Sequence, residues 1–168
     1  MSHIVSIGFS SKDTLLGKVV RYLTSSPINH VFLVYESAEW GGEWVAQANQ
    51  DGVHKIPIER ALKSSQYVEQ YECLKSLSSG MREMAKYIGC KYDWKGVVWG
   101  IFCLAVLKFL GIKISKRHHS FSRMFCSEFI AEILKRAQVP ETGSWETSLI
   151  SPSDLRMFVM TSRLFRKK

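Results

Sequence analysis

Runs of apolar and β-branched residues, separated by turn residues, predict a sheet in the first half of the chain. A strand over residues 30–36 is separated by Gly41 and Gly42 from a return strand over residues 44–48, which predicts a hairpin. Three further stretches have an extended pattern: residues 4–9, 53–58 and 67–73. The first half of the chain is therefore expected to form an antiparallel sheet.

Apolar residues at helical spacing predict helices between the strands and in the second half of the chain. The first two helices are predicted from about Lys12 to Leu23 and from Ser78 to Ile88, with Gly89 just after the second. An amphipathic helix is predicted from Cys126 to Ala137, and Ser151-Pro152 is typical of the start of a last short helix. Together these elements predict an α+β fold, with an antiparallel sheet packed against helices.

Composition limits the class of protein. The chain has 168 residues, of which 46% are hydrophobic and 23% are charged. These proportions exclude a disordered, collagen-like or disulfide-scaffold chain, and the length predicts that residues 1–168 form a single domain. The formal net charge of +8 is compatible with binding to nucleic acid, anionic lipid or an acidic polymer, but selects none of them.

The cysteines and the N-terminus favour a reducing compartment. Cys73, Cys90, Cys103 and Cys126 form no C-x-x-C pair, so the spacing typical of a zinc site is absent and no metal or other cofactor is predicted. The first residues lack the basic and apolar regions of a signal peptide. We therefore expect free thiols and a cytoplasmic location.

Three other segments have unusual composition. Residues 96–112 are apolar, but 17 residues are marginal for crossing a bilayer and Lys108 interrupts them, so we interpret them as an apolar insertion that forms a buried or cleft-lining helix. An interfacial or lipid-facing segment is the first alternative, and a membrane span is the second. The pair His118-His119 is interpreted as part of a solvated loop, and the basic residues of 163–168 as a solvated tail, with binding to an anionic surface as its alternative.

Candidate chemistry centres on three residues. Cys126 lies at the predicted start of a helix, where free N–H groups and the helix dipole favour a thiolate, although a small core residue is the ordinary interpretation. A cysteine hydrolase also needs an imidazole that accepts and returns a proton, and a polar group that holds the ring. His30 begins a strand and Gln47 lies within the adjacent one, where alternation alone favours a solvent-facing side chain.

The segments around these residues resemble those of the NlpC/P60 cysteine peptidases. HVFLVYE, the glycine turn and WVAQANQDGV are similar to the half of that family that contains the catalytic histidine. Residues 89–96 are similar to its Gly-x-x-Tyr-x-Trp-Gly-Gly segment, and residues 125–128 (FCSE) to its Asp-Cys-Ser-Gly nucleophile motif. Here the histidine half comes first, an order that resembles the circularly permuted branch, which includes YiiX-like and lecithin:retinol acyltransferase-like proteins. The resemblance covers residues 4 to about 156.

The resemblance implies a papain-like fold and a role for each matching residue. Cys126 would attack a carbonyl carbon, His30 would act as general base and then acid, and Gln47 would orient the His30 ring. Tyr92 matches a tyrosine that lies beside the nucleophile and assists at the oxyanion. The family more often has His, Glu or Asn at the position of Gln47, and two nearby residues remain alternatives for this role: His54 and Asn49.

Three functions follow from these patterns. The first is a cysteine hydrolase that cleaves an amide of a peptide or peptidoglycan-type substrate through a thioester. The second is a lipid-directed acyltransferase or hydrolase that uses the same pair at an anionic membrane surface, favoured by the apolar insertion, which is not typical of wall-cleaving members of the family. The third is a non-catalytic polyanion-binding protein, although no specific nucleic-acid motif is present.

Overall fold

The computed structural model describes residues 5–63, 65–93 and 123–168. The predicted apolar insertion at 96–112 and the His118-His119 pair lie outside these residues. The described strands are β1 (Val5–Lys12), β2 (His30–Glu36), β3 (Glu43–Asn49), β4 (Gly52–Pro57), β5 (Ser65–Cys73), β6 (Lys91–Tyr92), β7 (Arg123–Met124) and β8 (Phe165–Lys167). The described α-helices are α1 (Leu15–Thr24), α2 (Ile58–Leu62), α3 (Ser78–Met84), α4 (Cys126–Arg136) and α5 (Pro152–Thr161).

A six-stranded antiparallel sheet forms the centre of the fold, in the order β4-β3-β2-β1-β5-β8. Strand β2 reads as a continuous apolar run because both of its faces are covered. Val31 and Leu33 belong to the larger core, together with Phe129 of α4, while Phe32 belongs to a smaller core with Ala61 of α2. The predicted α+β fold, with an antiparallel sheet packed against helices, is thus confirmed.

Several local predictions are also confirmed. The predicted hairpin corresponds to β2 and β3, which pair from Leu33–Ala46 to Glu36–Glu43. Helix α4 begins at Cys126, and α5 begins after Ser151, whose hydroxyl accepts the backbone N–H of Asp154 at 3.1 Å. The apolar pattern therefore located the start of α4 correctly, and the capping residue Ser151 that of α5.

The predicted start of the first helix was wrong. Lys12 ends strand β1, and α1 starts only at Leu15, after Thr14, whose side chain accepts the backbone N–H of Gly17 at 3.0 Å. The reason is a contact from a distant part of the chain. The Asn29 side chain accepts the N–H of Lys12 and donates to its carbonyl, both at 2.9 Å, which holds Lys12 in the extended conformation.

The basic C-terminal segment is not merely a solvated tail. Residues Phe165–Lys167 form the edge strand β8, which pairs with β5. Arg166 forms an ion pair with Glu72 at 2.7 Å and Lys167 one with Glu69 at 3.6 Å, although the basic side chains themselves remain exposed. Pairing of the backbone and these acidic partners explain why so basic a segment is ordered against the sheet.

Among the described residues, none of the helices is both long and apolar enough to cross a membrane.

Candidate active site

Strand β2, strand β3 and helix α4 each carry one of the predicted catalytic residues, and α4 packs against both strands. His30 is the first residue of β2, Gln47 lies within the adjacent strand β3, and Cys126 is the first residue of α4. All three side chains are buried, with 7%, 1% and 5% of their surface exposed, respectively. The prediction from alternation that Gln47 faces solvent is therefore wrong, because strand β3 lies between β2 and β4 and both faces of the sheet are covered there.

Hydrogen bonds connect four polar groups in a row that begins with the His30 ring and ends at the Gly52 carbonyl. His30 Nε2 lies 2.7 Å from Gln47 Oε1, and Gln47 Nε2 lies 3.2 Å from His54 Nε2. His54 Nδ1 in turn lies 3.0 Å from the carbonyl oxygen of Gly52. Asn49 supports the row from the side, with its Nδ2 at 3.5 Å from His54 Nε2. Gln47 is therefore the residue that contacts the His30 ring, while His54 contacts the Gln47 amide and Asn49 contacts His54.

The direction of these hydrogen bonds determines which nitrogen of His30 carries its proton. The Gly52 carbonyl can only accept, so His54 donates through Nδ1. The amide nitrogen of Gln47 can only donate, so His54 Nε2 accepts its N–H. The Gln47 amide oxygen then faces His30 and accepts its Nε2–H. The Nδ1 of His30 is consequently left with a free lone pair, as a general base requires.

His30 is neutral at physiological pH. Burial and then the positive charge of Lys12 lower the pKa of His30 to about 4, although the hydrogen bond that His30 donates to Gln47 raises it. A neutral imidazole can accept a proton, whereas an imidazolium cannot.

The surroundings of Cys126 act on its thiol in opposite directions. Burial raises the pKa of Cys126, while the backbone N–H groups of Val31, Ser127 and Cys126 and the charge of Lys12 lower it to a smaller extent. The N–H groups at the helix start thus favour the thiolate, as the sequence indicates, but burial has the larger effect on the pKa. The resting site holds a thiol and a neutral imidazole.

Hydrogen bonds fix the first turn of α4, which carries the nucleophile. The backbone N–H of Phe125 donates to Glu128 at 3.4 Å, and the Ser127 hydroxyl donates to the carbonyl of Ile150 at 2.6 Å. Phe129, in the next position facing the core, is fully buried. The Cys-Ser-Glu triplet thus has a local structural purpose, because its second and third residues hold the turn on which Cys126 lies.

Tyr92 is brought close to Cys126 by the short β6–β7 pair. Tyr92 lies opposite Met124, two residues before the nucleophile. Burial, followed by the charges of Cys126 and Asp93, raises the pKa of Tyr92 well above its usual value. Tyr92 therefore keeps its proton and can donate a hydrogen bond.

Two polar residues of this region were not found from the sequence. Lys12, which had been placed in a helix, acts electrostatically on both Cys126 and His30. Ser10 lies directly opposite His30, and its buried hydroxyl has no hydrogen-bond partner within the described part of the chain. Local sequence contains no signal for either residue, since both reach the site through strand pairing.

Burial of neutral His30 predicts a loss of stability in acid. The unfolded chain binds a proton at His30 below a pH of about 6.5, whereas the folded chain does so only near pH 4. Stability is therefore lost as the pH falls through this window, by roughly 3 kcal/mol in all. Urea unfolding at about pH 7 and about pH 4.5 measures this change, and His30→Gln should remove most of it. An equal acid dependence in the native and variant proteins would show that His30 is not its source.

The row of hydrogen bonds also predicts that His54 controls the tautomer of His30. In His54→Ala the Gln47 amide loses the acceptor that fixes its orientation, so we expect a mixture of His30 tautomers. His54→Gln supplies an amide oxygen in place of the lost nitrogen and should restore the Nε2–H form. Nitrogen-15 NMR of the imidazole rings distinguishes the two tautomers. An unchanged His30 spectrum in His54→Ala would contradict the proposed direction of the row.

Comparison with known proteins identifies the fold. No family model matches the chain, and no curated protein matches its sequence. Among solved structures, it is similar to that of the metalloprotein YiiX from Escherichia coli O157:H7, with a TM-score of 0.64 and 14% identity over 98% of this chain and 95% of YiiX. The chain has the YiiX fold. The resemblance to YiiX-like proteins that was found in the sequence is thereby confirmed at the level of the fold.

The description of YiiX as a metalloprotein raises the question whether this chain offers similar ligands. Within residues 5–63, 65–93 and 123–168, no three His, Cys, Asp or Glu side chains are grouped so that they could hold one metal ion. The two histidines in the described part of the chain, His30 and His54, already use ring nitrogens in hydrogen bonds to Gln47 and Gly52. These residues therefore do not fit a metal ion.

Proposed function

We propose that the chain is a cysteine hydrolase of the circularly permuted NlpC/P60 type, which cleaves an amide through a thioester on Cys126. The observation that carries this proposal is the row from His30 to Gly52, because it leaves the His30 Nδ1 unprotonated while the ring is buried. A buried histidine held in one tautomer by an amide is the arrangement that a general base needs.

The reaction would begin with Cys126 as a neutral thiol and His30 as a neutral imidazole. As the Cys126 sulfur attacks the carbonyl carbon, His30 Nδ1 takes the thiol proton, and Gln47 stabilises the imidazolium through Nε2–H. An S–C bond forms and the carbonyl oxygen becomes an oxyanion. Collapse of this intermediate breaks the C–N bond, and the leaving amine takes the proton from His30.

In the hydrolysis of the thioester, water would be the nucleophile and the Cys126 sulfur the leaving group, and His30 would again accept a proton and return it. Water attacks the thioester carbon and gives a proton to His30, the C–S bond breaks, and the Cys126 sulfur recovers the proton. The acid product leaves and the site returns to its thiol and imidazole form. Tyr92 and the backbone N–H of Cys126 are the donors that we assign to the oxyanion, since Tyr92 remains protonated beside Cys126.

Peptide or peptidoglycan amides are the substrates that we propose first. Transfer of the acyl group to a lipid, or from one, would use the same Cys126 and His30 and differs only in the molecule that donates or accepts the acyl group. The apolar insertion at 96–112, on which the lipid hypothesis depends, lies outside the described residues. The lipid hypothesis therefore remains a prediction. The polyanion hypothesis, which depends on the net charge of +8, also remains a prediction.

Acylation of Cys126 by a simple activated ester tests the proposal. We expect p-nitrophenyl acetate to place an acetyl group on Cys126, detected by mass spectrometry and released by hydroxylamine. Incubation with peptide amides and with acyl lipids in vesicles would then show which donor forms an acyl-enzyme. Acetyl transfer to Cys126 that is no faster than transfer to Cys90, with the fold intact, would contradict the proposal.

A further inference from the structure

Lys12 occupies a position that the fold fixes closely. Its backbone is held at both the N–H and the carbonyl by the side chain of Asn29, which directly precedes His30. The absence of a side chain at Gly17 permits this packing, because a Cβ there would overlap the Asn29 amide and the Lys12 carbonyl. The Cα atom of Lys12, from which the side chain extends, is therefore held at a fixed position with respect to the start of β2.

Strand pairing directs Lys12 to the side of the sheet on which His30 lies. Ser10 is paired directly with His30, so their side chains share a face. Lys12 follows two residues later in the same strand. The pairing with β5 shifts its register between Ser11 and Lys12, but the extra residue lies on β5, so Lys12 continues the alternation of β1 and shares that face. Cys126 lies close to the start of β2, because the backbone N–H of Val31, the residue after His30, donates a hydrogen bond to it. The charge of Lys12 acts on both His30 and Cys126, in agreement with this placement.

The ammonium group of Lys12 has no partner in the described part of the chain, in which it makes neither a hydrogen bond nor an ion pair. The contrast with other basic side chains is clear. Lys18 is paired with Asp13, and Arg156 with Glu69 at 2.7 Å. Lys12 is half-buried, and Asp51 acts on it only through its charge. An unpaired cation at such a site is costly unless an anion occupies the position during function.

We propose that Lys12 forms an anion subsite beside Cys126, which selects acyl substrates that carry a carboxylate or a phosphate close to the scissile carbonyl. This inference rests on the proposed function. The neighbouring Ser10 hydroxyl, buried and without a hydrogen-bond partner among the described residues, is a second donor on the same strand face. Because His30 is neutral near pH 7, Lys12 and not the imidazole supplies the positive charge next to the thiol.

The experiment separates attraction of an anion from activation of the thiol. Iodoacetate and iodoacetamide alkylate the same thiolate, but only iodoacetate carries a negative charge. The ratio of their rates at Cys126 therefore cancels any effect of Lys12 on the thiolate fraction. We expect this ratio, near pH 7.5 and at low salt, to fall about tenfold in Lys12→Met, to be retained in Lys12→Arg, and to fall with rising salt in the native protein.

Lys18→Met is the matched control, because it removes one exposed lysine on the neighbouring helix α1 and changes the net charge equally. It should leave the ratio at Cys126 unchanged. An equal fall in both methionine variants, or a native ratio that is insensitive to salt, would overturn the subsite. The salt dependence of the native protein tests the proposal without relying on the fold of any variant.

Competition identifies the anion. Acetate and inorganic phosphate, compared at equal ionic strength, should slow the alkylation of Cys126 by iodoacetamide, and the more effective of them indicates a carboxylate or a phosphate substrate. If neither slows the reaction, the charge of Lys12 acts only diffusely and the subsite is wrong. If neither reagent alkylates Cys126 in the folded protein, the proposed function itself fails, which is a different result from alkylation without charge discrimination.

Discussion

Replacing Cys126 with alanine is expected to lower the hydrolysis of p-nitrophenyl acetate by at least about 10³-fold and to remove the acyl-enzyme. The substitution removes the nucleophile but fills most of the same volume, so the fold should be retained. The measurement is the initial rate of p-nitrophenolate release, together with circular dichroism to verify the fold.

Cys73→Ala is the matched control for this prediction. Cys73 is also a buried free thiol, but it lies opposite Val5, at the other end of β1 from the Ser10–His30 pair. Burial also raises the pKa of Cys73, so this control removes a second buried thiol outside the site. Retained hydrolysis in Cys126→Ala, or equal losses in both variants, would mean that Cys126 is not the nucleophile.

Replacing Phe129 with alanine is expected to reduce the free energy of unfolding by about 3–5 kcal/mol. Phe129 is fully buried and lies one turn after Cys126, where it fixes α4 in the core that also contains Val31 and Leu33. The substitution leaves a cavity under the helix that carries the nucleophile. The loss is a large part of the stability of an ordinary domain.

Urea unfolding measures this loss, with Met157→Ala as the control. Met157 is also an apolar helical residue, but 63% of it is exposed, so its replacement should change stability by no more than about 0.5 kcal/mol. A change below about 1 kcal/mol in Phe129→Ala would show that α4 is not held by this contact.

The sequence predicted those parts of the fold that depend on local pattern. The hairpin of β2 and β3 follows from its strand pattern and glycine turn, the start of α4 from apolar residues at helical spacing, and the start of α5 from its capping residues, all of which act within a few positions. The predicted helix start singled out Cys126. The resemblance to a known family added Tyr92 and gave roles to His30 and Gln47.

The missed features depend on contacts between distant residues. Lys12 is extended because Asn29 binds its backbone, and nothing near Lys12 in the sequence indicates this. Residues Phe165–Lys167 form a strand because β5 offers a free edge and acidic partners. The thiol of Cys126 illustrates the same limit, since the helix start alone favours a thiolate and only the surrounding packing reverses this.

The central claim is that His30 activates Cys126, and the alkylation of each thiol by iodoacetamide tests it most directly. The rates at Cys126 and Cys90 would be mapped by mass spectrometry over a range of pH, in the native protein and in His30→Ala. We predict that the variant loses at least about tenfold of the rate at Cys126 near neutral pH, while the rate at Cys90 is unchanged. An unaltered rate at Cys126 in His30→Ala, with the fold intact, would contradict the account.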